Sequence, residues 1–156
     1  MKITQRTATL EDASLILAWR NDLSAREFSL HAELILNDEH LRWLSARLAR
    51  VKFEPFWMFA VENDFVGLSR LDIATEFSDK YEISILVDSK QQGKGIGTKI
   101  LDMTCESFFG LHPNKSVIAK IHSQNTVSQK LFMRAGFRKL TSSGNFLIFD
   151  KNLDQG

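Results

Sequence analysis

The segment Gln92-Gly93-Lys94-Gly95-Ile96-Gly97 sets three glycines in alternation with larger residues, between a strand-like and a helix-like pattern. Glycine has no Cβ, so the backbone there can approach an anionic group closely. The unpaired N–H groups and the dipole at the start of the following helix favour phosphate oxygens. The chemistry this spacing points to is binding of a phosphorylated ligand, a diphosphate above all. A Walker loop, and with it a P-loop nucleotide-binding protein, is disfavoured, because Gly97 is followed by Thr98 and Lys99 and the Gly-Lys-Ser/Thr ending is missing. The dinucleotide fingerprint is excluded too, since it needs a differently spaced third glycine and an opening parallel βαβ unit. A glycine-rich turn that merely lets strand and helix pack is the plain alternative.

A second pattern follows: Asn125-x-x-Ser128-x-x-Leu131-Phe132-x-x-x-Gly136-Phe137. Asn125 has the residue type of a helix N-cap and Gly136 that of a helix stop. Glu82 is the candidate general base. On a strand of period two it shares a face with Ser84 and Leu86, opposite Ile83, Ile85 and Val87. A solvated charge at a strand start is the other reading of Glu82. His122 ends a strand and has the residue type that titrates near neutral pH, although an exposed loop position explains it equally simply. Cys105 sits among apolar neighbours in a helical pattern and reads as core, which argues against a covalent cysteine mechanism.

These residues need elements to hold them. Residues 2–8 read as an edge strand. Thr9 and Asp12 resemble an N-cap ahead of Leu15, Ile16 and Trp19. Asn37 would cap a second helix burying the stripe Leu41, Trp43, Leu44 and Leu48. Residues 56–61 and 65–73 form a hairpin about Asn63-Asp64, and 81–87 another strand. A helix over 96–109 ends at Gly110, a strand covers 116–121, and a helix covers 125–135. Two strands close the chain at 137–140 and 146–150. Three successive strands after a helical pair suggest antiparallel pairing, whereas strand–helix–strand near Gln91 suggests a parallel crossover.

At 156 residues the chain fits one domain, residues 1–156, and is long enough to bury a core without staples. With 20 basic and 19 acidic residues its formal charge is +1, which gives no support to a nucleic-acid surface. A lone cysteine, no apolar leader and no apolar run of membrane-span length make a cytoplasmic protein the expectation.

Taken together, the two motifs Gln92-x-x-Gly95-x-Gly97 and Asn125…Gly136-Phe137 resemble the cofactor motifs of the GNAT N-acetyltransferases, in the same order and with one helix and one strand between them. The resemblance implies an α+β fold. A central mixed, mostly antiparallel sheet of about seven strands would carry four helices, and the fourth and fifth strands would splay into a V. It implies acetyl-CoA as cofactor and no metal. Gln92, Gly93, Lys94, Gly95, Ile96, Gly97 and Thr98 would hold the pyrophosphate. Asn125, Ser128 and Phe132 would border the pantetheine arm, and a backbone N–H at Leu86 or Val87 would serve the oxyanion. Glu82 lies close to where histone-type members carry a catalytic glutamate. Many members place a tyrosine four residues before the Gly-Phe pair to protonate the leaving sulfur, where this chain has Phe132.

The N-terminal third resembles the acetyltransferases of the pseudaminic acid pathway, which act on the 4-amino group of a UDP-linked deoxysugar. This implies a small-molecule amine acceptor met by Trp19, Arg20, Asn21, Arg26, Ser29 and His40. Arginines suit diphosphate oxygens and tryptophans a uracil or sugar face. Each has a plain alternative: Trp19 and Trp43 as packing, Arg20 as a helix-dipole partner, His40 as a surface histidine. His31 and His40 flank the acceptor loop. A protein N-terminal acetyltransferase of the ribosomal type and a non-catalytic acyl-CoA-binding module are the rival readings, and a homodimer is left open.

Overall fold

The computed structural model describes residues 2–29, 33–77 and 79–153. Seven strands form one sheet in the order β1-β2-β3-β4-β5-β7-β6. They are β1 (Ile3–Thr7), β2 (Phe56–Val61), β3 (Asp64–Ile73), β4 (Lys80–Val87), β5 (Ser116–His122), β6 (Arg138–Ser143) and β7 (Phe146–Lys151). The helices are α1 (Ala13–Asn21), α2 (Leu23–Arg26), α3 (Asn37–Leu48), α4 (Ile96–Leu111) and α5 (Thr126–Arg134). Every neighbouring pair is antiparallel except β4 and β5, which run parallel with α4 as their crossover. Parallel neighbours need such a crossover, so the one long helix between strands sits where the sheet's topology demands it.

Strand alternation sorts the side chains into two layers. On one face Leu71, Tyr81, Ile83, Val117, Ala119 and Ile121 bury against Leu101, Cys105 and Phe108 of α4 and Phe132 of α5. On the other, Phe56, Met58 and Leu68 bury against Ile16 and Trp19 of α1 and Leu44 of α3. The two helical layers thus divide the work: α4 and α5 follow the motifs, while α1 to α3 cover the opposite face.

Four details differ from the sequence reading. Asn37 does not cap α3 but is its first residue, after an N-cap at Leu36 that makes no side-chain bond. In the α3 stripe Leu44 is buried and Trp43 and Leu48 pack beside it, but Leu41 is exposed, because α3 also turns the polar pair His40 and Arg47 inward and satisfies it. Arg47 is fully buried, donating to Asp72 at 2.7 Å and to the carbonyls of Glu54, Pro55 and Leu71 at 2.7, 3.1 and 2.9 Å. Gly110 does not end α4, which continues to Leu111 and closes on His112 N–H to Phe108 C=O. A fifth, one-turn helix, α2, follows α1, started by Asp22 accepting from Ser24 N–H at 2.9 Å.

Candidate active site

β4 and β5 pair only at Lys80–Ser116, Tyr81–Val117 and Glu82–Ile118, although β4 runs on to Val87 and β5 to His122. Beyond Glu82 the two strands diverge into the expected V. The direction of the β4 backbone follows from two bonds to β3 and its flanks. Ala74 N–H donates to Lys80 C=O at 2.9 Å, and Asp88 N–H donates to Val66 C=O at 2.8 Å. Peptide groups alternate along an antiparallel ladder, so even-numbered residues of β4 bond to β3 and odd-numbered ones face β5. The Leu86 N–H is therefore committed to β3, which corrects its assignment as an oxyanion donor. Val87 and, two residues earlier, Ile85 turn their N–H groups into the gap that β5 has left. β3 and β4 approach closely at Gly67, where a Cβ would stand 2.6 Å from both Leu86 C=O and Ile100 Cδ1.

At the end of β4 the chain passes through a 3-10 turn and the glycine loop into α4. Gly93 and Gly95 have φ of 81° and 76°, left-handed values that favour glycine, and a Cβ on either would meet nothing within 4 Å. The space beside both glycines is open. The Lys99 N–H to Gly95 C=O bond opens the α4 ladder, so the amides of Ile96, Gly97 and Thr98 precede it at the positive end of a 16-residue helix. Gln92, Lys94 and Thr98 are exposed around this cradle, with Lys94 Nζ 3.4 Å from Gln91 Oε1. The Ile96 side chain is buried beneath the loop with Ile100, Phe59 and Val66, so that residue offers only its amide. These features fit a pyrophosphate.

Asn125 caps α5, its Oδ1 accepting from Ser128 N–H at 3.2 Å. The cap reading of Asn125 is thus realised, and Ser128 is half-buried one turn on. Phe132 is buried, edge-on to Phe137 at 5.0 Å, and belongs to the core. Tyr81, the chain's one tyrosine, lies on the α4 face against Phe108 at 4.8 Å and does not take the acid's place.

On the α1–α3 side of β4 lies a hollow of about 270 Å³, bounded among others by Arg20, Ser29, Trp43, Arg70, Ser84 and Leu86. Arg70 pairs with Ser84 across β3 and β4, which puts its guanidinium on the same face as Ser84 and Leu86. Trp43 holds both arginines: the Arg20 Cζ lies 4.0 Å and the Arg70 Cζ 5.3 Å from its ring centre. Arg70 is ion-paired to Asp72, which also receives Arg47. Among the described residues no ion pair involves Arg20. Burial first, and then the charge of Arg70, pull the Arg20 guanidinium below its usual range. A half-buried cation with a second cation for a neighbour favours an anion in the hollow.

Of the sequence-predicted acceptor residues, Arg20 and Ser29 line this hollow. Trp19, Asn21, Arg26 and His40 are not among the residues that line it. Trp19 is buried in the core and donates its indole N–H to Asp88 at 3.1 Å, tying α1 to the loop after β4. Asn21 brackets Ile35 from both sides, donating to its C=O at 2.9 Å and accepting from its N–H at 2.8 Å. Arg26 donates to Asn21 C=O at 3.1 Å. His40 is fully buried beside Arg20 and is not the surface histidine of the simpler reading. His31 lies outside the described residues. Arg70 escaped the sequence reading; a charged residue between Ser69 and Leu71 acquires meaning only once β3 is registered on β4.

Glu82 stands on the hollow's face of β4, at the last pair before the V opens. Its carboxylate lies 3.4 Å from Lys120 Nζ, which Glu76 also reaches at 2.8 Å. Burial works against the Lys120 ammonium, but its bond to Glu76 and the charge of Glu82 outweigh that and raise its pKa. His122, at the far end of β5, accepts from Gln124 N–H on Nδ1 at 3.1 Å and touches Phe28 at 5.4 Å. Burial pushes the Cys105 thiol up to about 11, which keeps it protonated and unreactive. Among the described residues no cluster of metal-ligating side chains occurs and no helix is long and apolar enough to cross a membrane.

The model of the acetyltransferase (GNAT) domain family matches residues 2–138, and the chain belongs to that family. YwnH of Bacillus subtilis (strain 168), which carries the name of a phosphinothricin acetyltransferase, is 23% identical over 143 residues, 86% of this chain and 83% of its own length. The ribosomal-protein-alanine N-acetyltransferase of Brucella melitensis is 25% identical with a TM-score of 0.78, over 96% of this chain and 99% of that one. The aminoglycoside acetyltransferase AAC(6')-Ib, solved with ribostamycin and coenzyme A, shares 16% identity at a TM-score of 0.87, over 99% and 96% of the two chains. The protein is thus an acetyl-CoA-dependent N-acetyltransferase. Three acceptor classes on one fold mean that its own acceptor has to be read from its own pocket.

Proposed function

We propose that the protein acetylates a primary amine carried by an anionic small molecule, the 4-amino group of a UDP-linked deoxy amino sugar. The observation that carries this reading is the pair Arg20 and Arg70 lining the hollow beside Leu86, with no ion pair on Arg20 among the described residues. Two guanidiniums present donors that match phosphate oxygens and repel a polycation. That argues against an aminoglycoside and against a basic peptide N-terminus. At about 270 Å³ the hollow is small for a ligand site, room for the amine-bearing ring and an adjoining phosphate. The nucleotide would then lie outside it.

Acetyl-CoA supplies an activated thioester acetyl group, which a neutral amine attacks directly to release CoA thiol. The chain's part is to bind and to move protons. The glycine-loop amides hold the diphosphate of the cofactor. The N–H groups of Val87 and Ile85, turned into the V and unpaired by β5, supply donors for a developing oxyanion. Glu82 accepts the amine's proton; three residues of strand, ~10 Å, separate it from Ile85, so the proton travels by water. With Phe132 in place of a tyrosine, solvent would supply the proton that the CoA sulfur takes up.

The test is CoA release from acetyl-CoA with a UDP-4-amino-deoxysugar, run beside peptide N-termini and an aminoglycoside. Turnover confined to the nucleotide sugar is the expected result. Turnover on peptides or aminoglycosides alone would discard the anionic acceptor, and tight acetyl-CoA binding without turnover on any amine would favour a binding module.

A further inference from the structure

His40 is fully buried, and both of its ring nitrogens are engaged. Nε2 lies 2.8 Å from Ala13 C=O and Nδ1 lies 3.0 Å from Arg20 Nη1. A guanidinium only donates, so Nδ1 must be the acceptor. The proton then sits on Nε2, which donates to the Ala13 carbonyl, and the ring is neutral. Three residues on, Trp43 faces the same way, its ring 6.0 Å from that of His40 and beneath the Arg20 guanidinium. Two residues one helical turn apart on α3 therefore hold one cation, His40 by a lone pair and Trp43 by its π face.

We propose that His40 is a positioning residue for acceptor binding: as a neutral imidazole it holds Arg20 over Trp43, aimed into the hollow, and protonation releases it. This rests on the reading of the hollow as the acceptor site. Protonation removes the lone pair that Arg20 uses and sets a second cation beside it. The surrounding charges do not help an imidazolium. From α1 comes Arg20 itself, and from the turn before it Asp12, already held by Arg6 at 2.7 and 2.8 Å. From β3 comes Arg70, and on α3 lie Glu39, which acts on Arg20, and the buried Arg47. Burial, and to a lesser degree the charge of Arg20, hold the imidazole below its ordinary 6.5, with the Ala13 carbonyl opposing. For a base depressed in the folded state, the arrangement is fully present above the ordinary value and lost as pH falls through the lower one. Acidification thus weakens acceptor binding and leaves the glycine loop alone.

Three measurements test it. Long-range ¹⁵N–¹H correlations on the whole enzyme should show His40 protonated on Nε2 alone and not titrating at 6.5; an Nδ1–H tautomer or ordinary titration would overturn the proposal. With the nucleotide amino sugar, His40→Leu should raise acceptor KM about tenfold, the size of one charge-assisted hydrogen bond, with kcat nearly unchanged. His40→Gln, which keeps an acceptor atom, should restore part of it, and both variants should lose the rise of acceptor KM at acid pH. An unchanged KM in His40→Leu would also overturn it. If the wild type acetylates no anion-bearing amine, the acceptor reading fails instead. The His40 assignment is then decided by the tautomer and by pyrophosphate binding to the CoA-saturated enzyme, which must weaken in His40→Leu.

Discussion

Arg20 and Arg70 lie against the same tryptophan, yet their surroundings differ. Arg70 shares Asp72 with Arg47, whereas Arg20 faces an imidazole lone pair and the hollow. Arg20, Trp43 and His40 are visible in the sequence as a cluster of chemically capable residues. What the sequence hides is the order among them, because a buried neutral histidine and a surface one have the same letter. Phe132 shows the converse: its place in the motif is legible, while its side chain turns to Phe137 because α5 needs a large apolar group against the sheet. Glu82 carries the sharpest expectation at this scale. Glu82→Gln should lower kcat on the order of 100-fold with acceptor KM little changed. Full turnover at every pH, measured by CoA release, would remove Glu82 as the base and leave it as a partner for Lys120.

At the scale of elements, the V depends on β4 keeping its β3 bonds while losing β5. Strand periodicity alone finds β4 and β5. It does not say that pairing stops at Glu82, or that the odd-numbered amides are the ones released, since both depend on register. The glycine loop and the α5 cap were legible because glycine and asparagine are selected there by local backbone geometry. The α3 stripe was not, because Arg47 reads as solvent-facing until its four acceptors are known. Arg47 joins α3 to the turn before β2 and to β3, beneath the Arg70–Asp72 pair that borders the hollow. Arg47→Ala would leave Asp72 and three carbonyls without this donor, a loss of about 3–5 kcal/mol. Denaturant unfolding should show it as a lower midpoint with an unchanged slope; a midpoint unmoved would mean that water replaces the guanidinium without cost.

Across the whole molecule, one sheet separates two tasks. The α4–α5 layer and the glycine loop follow the two motifs Gln92-x-x-Gly95-x-Gly97 and Asn125…Gly136-Phe137, which is why element order and cofactor were readable from residue patterns. The α1–α3 layer lines the hollow proposed for the acceptor, and the relatives carry the names of phosphinothricin, ribosomal-protein and aminoglycoside acetyltransferases. Its pocket is assembled from residues as far apart as Arg20 and Leu86, so no local motif spells it out. Trp19, bonded to Asp88, fastens α1 to the turn that follows β4 and leads to the glycine loop.

In the function proposed above, the two arginines select an anion attached to the amine. That selection is tested most directly by comparing kcat/KM for a UDP-4-amino-deoxysugar with that for the same amino sugar lacking UDP, in the wild type and in the Arg20→Gln, Arg70→Gln double variant. The wild type should prefer the nucleotide-linked amine by on the order of 100-fold, two charge-assisted contacts' worth, and the double variant should lose most of that preference. Equal use of both amines by the wild type, or a preference that survives loss of both arginines, would contradict the account.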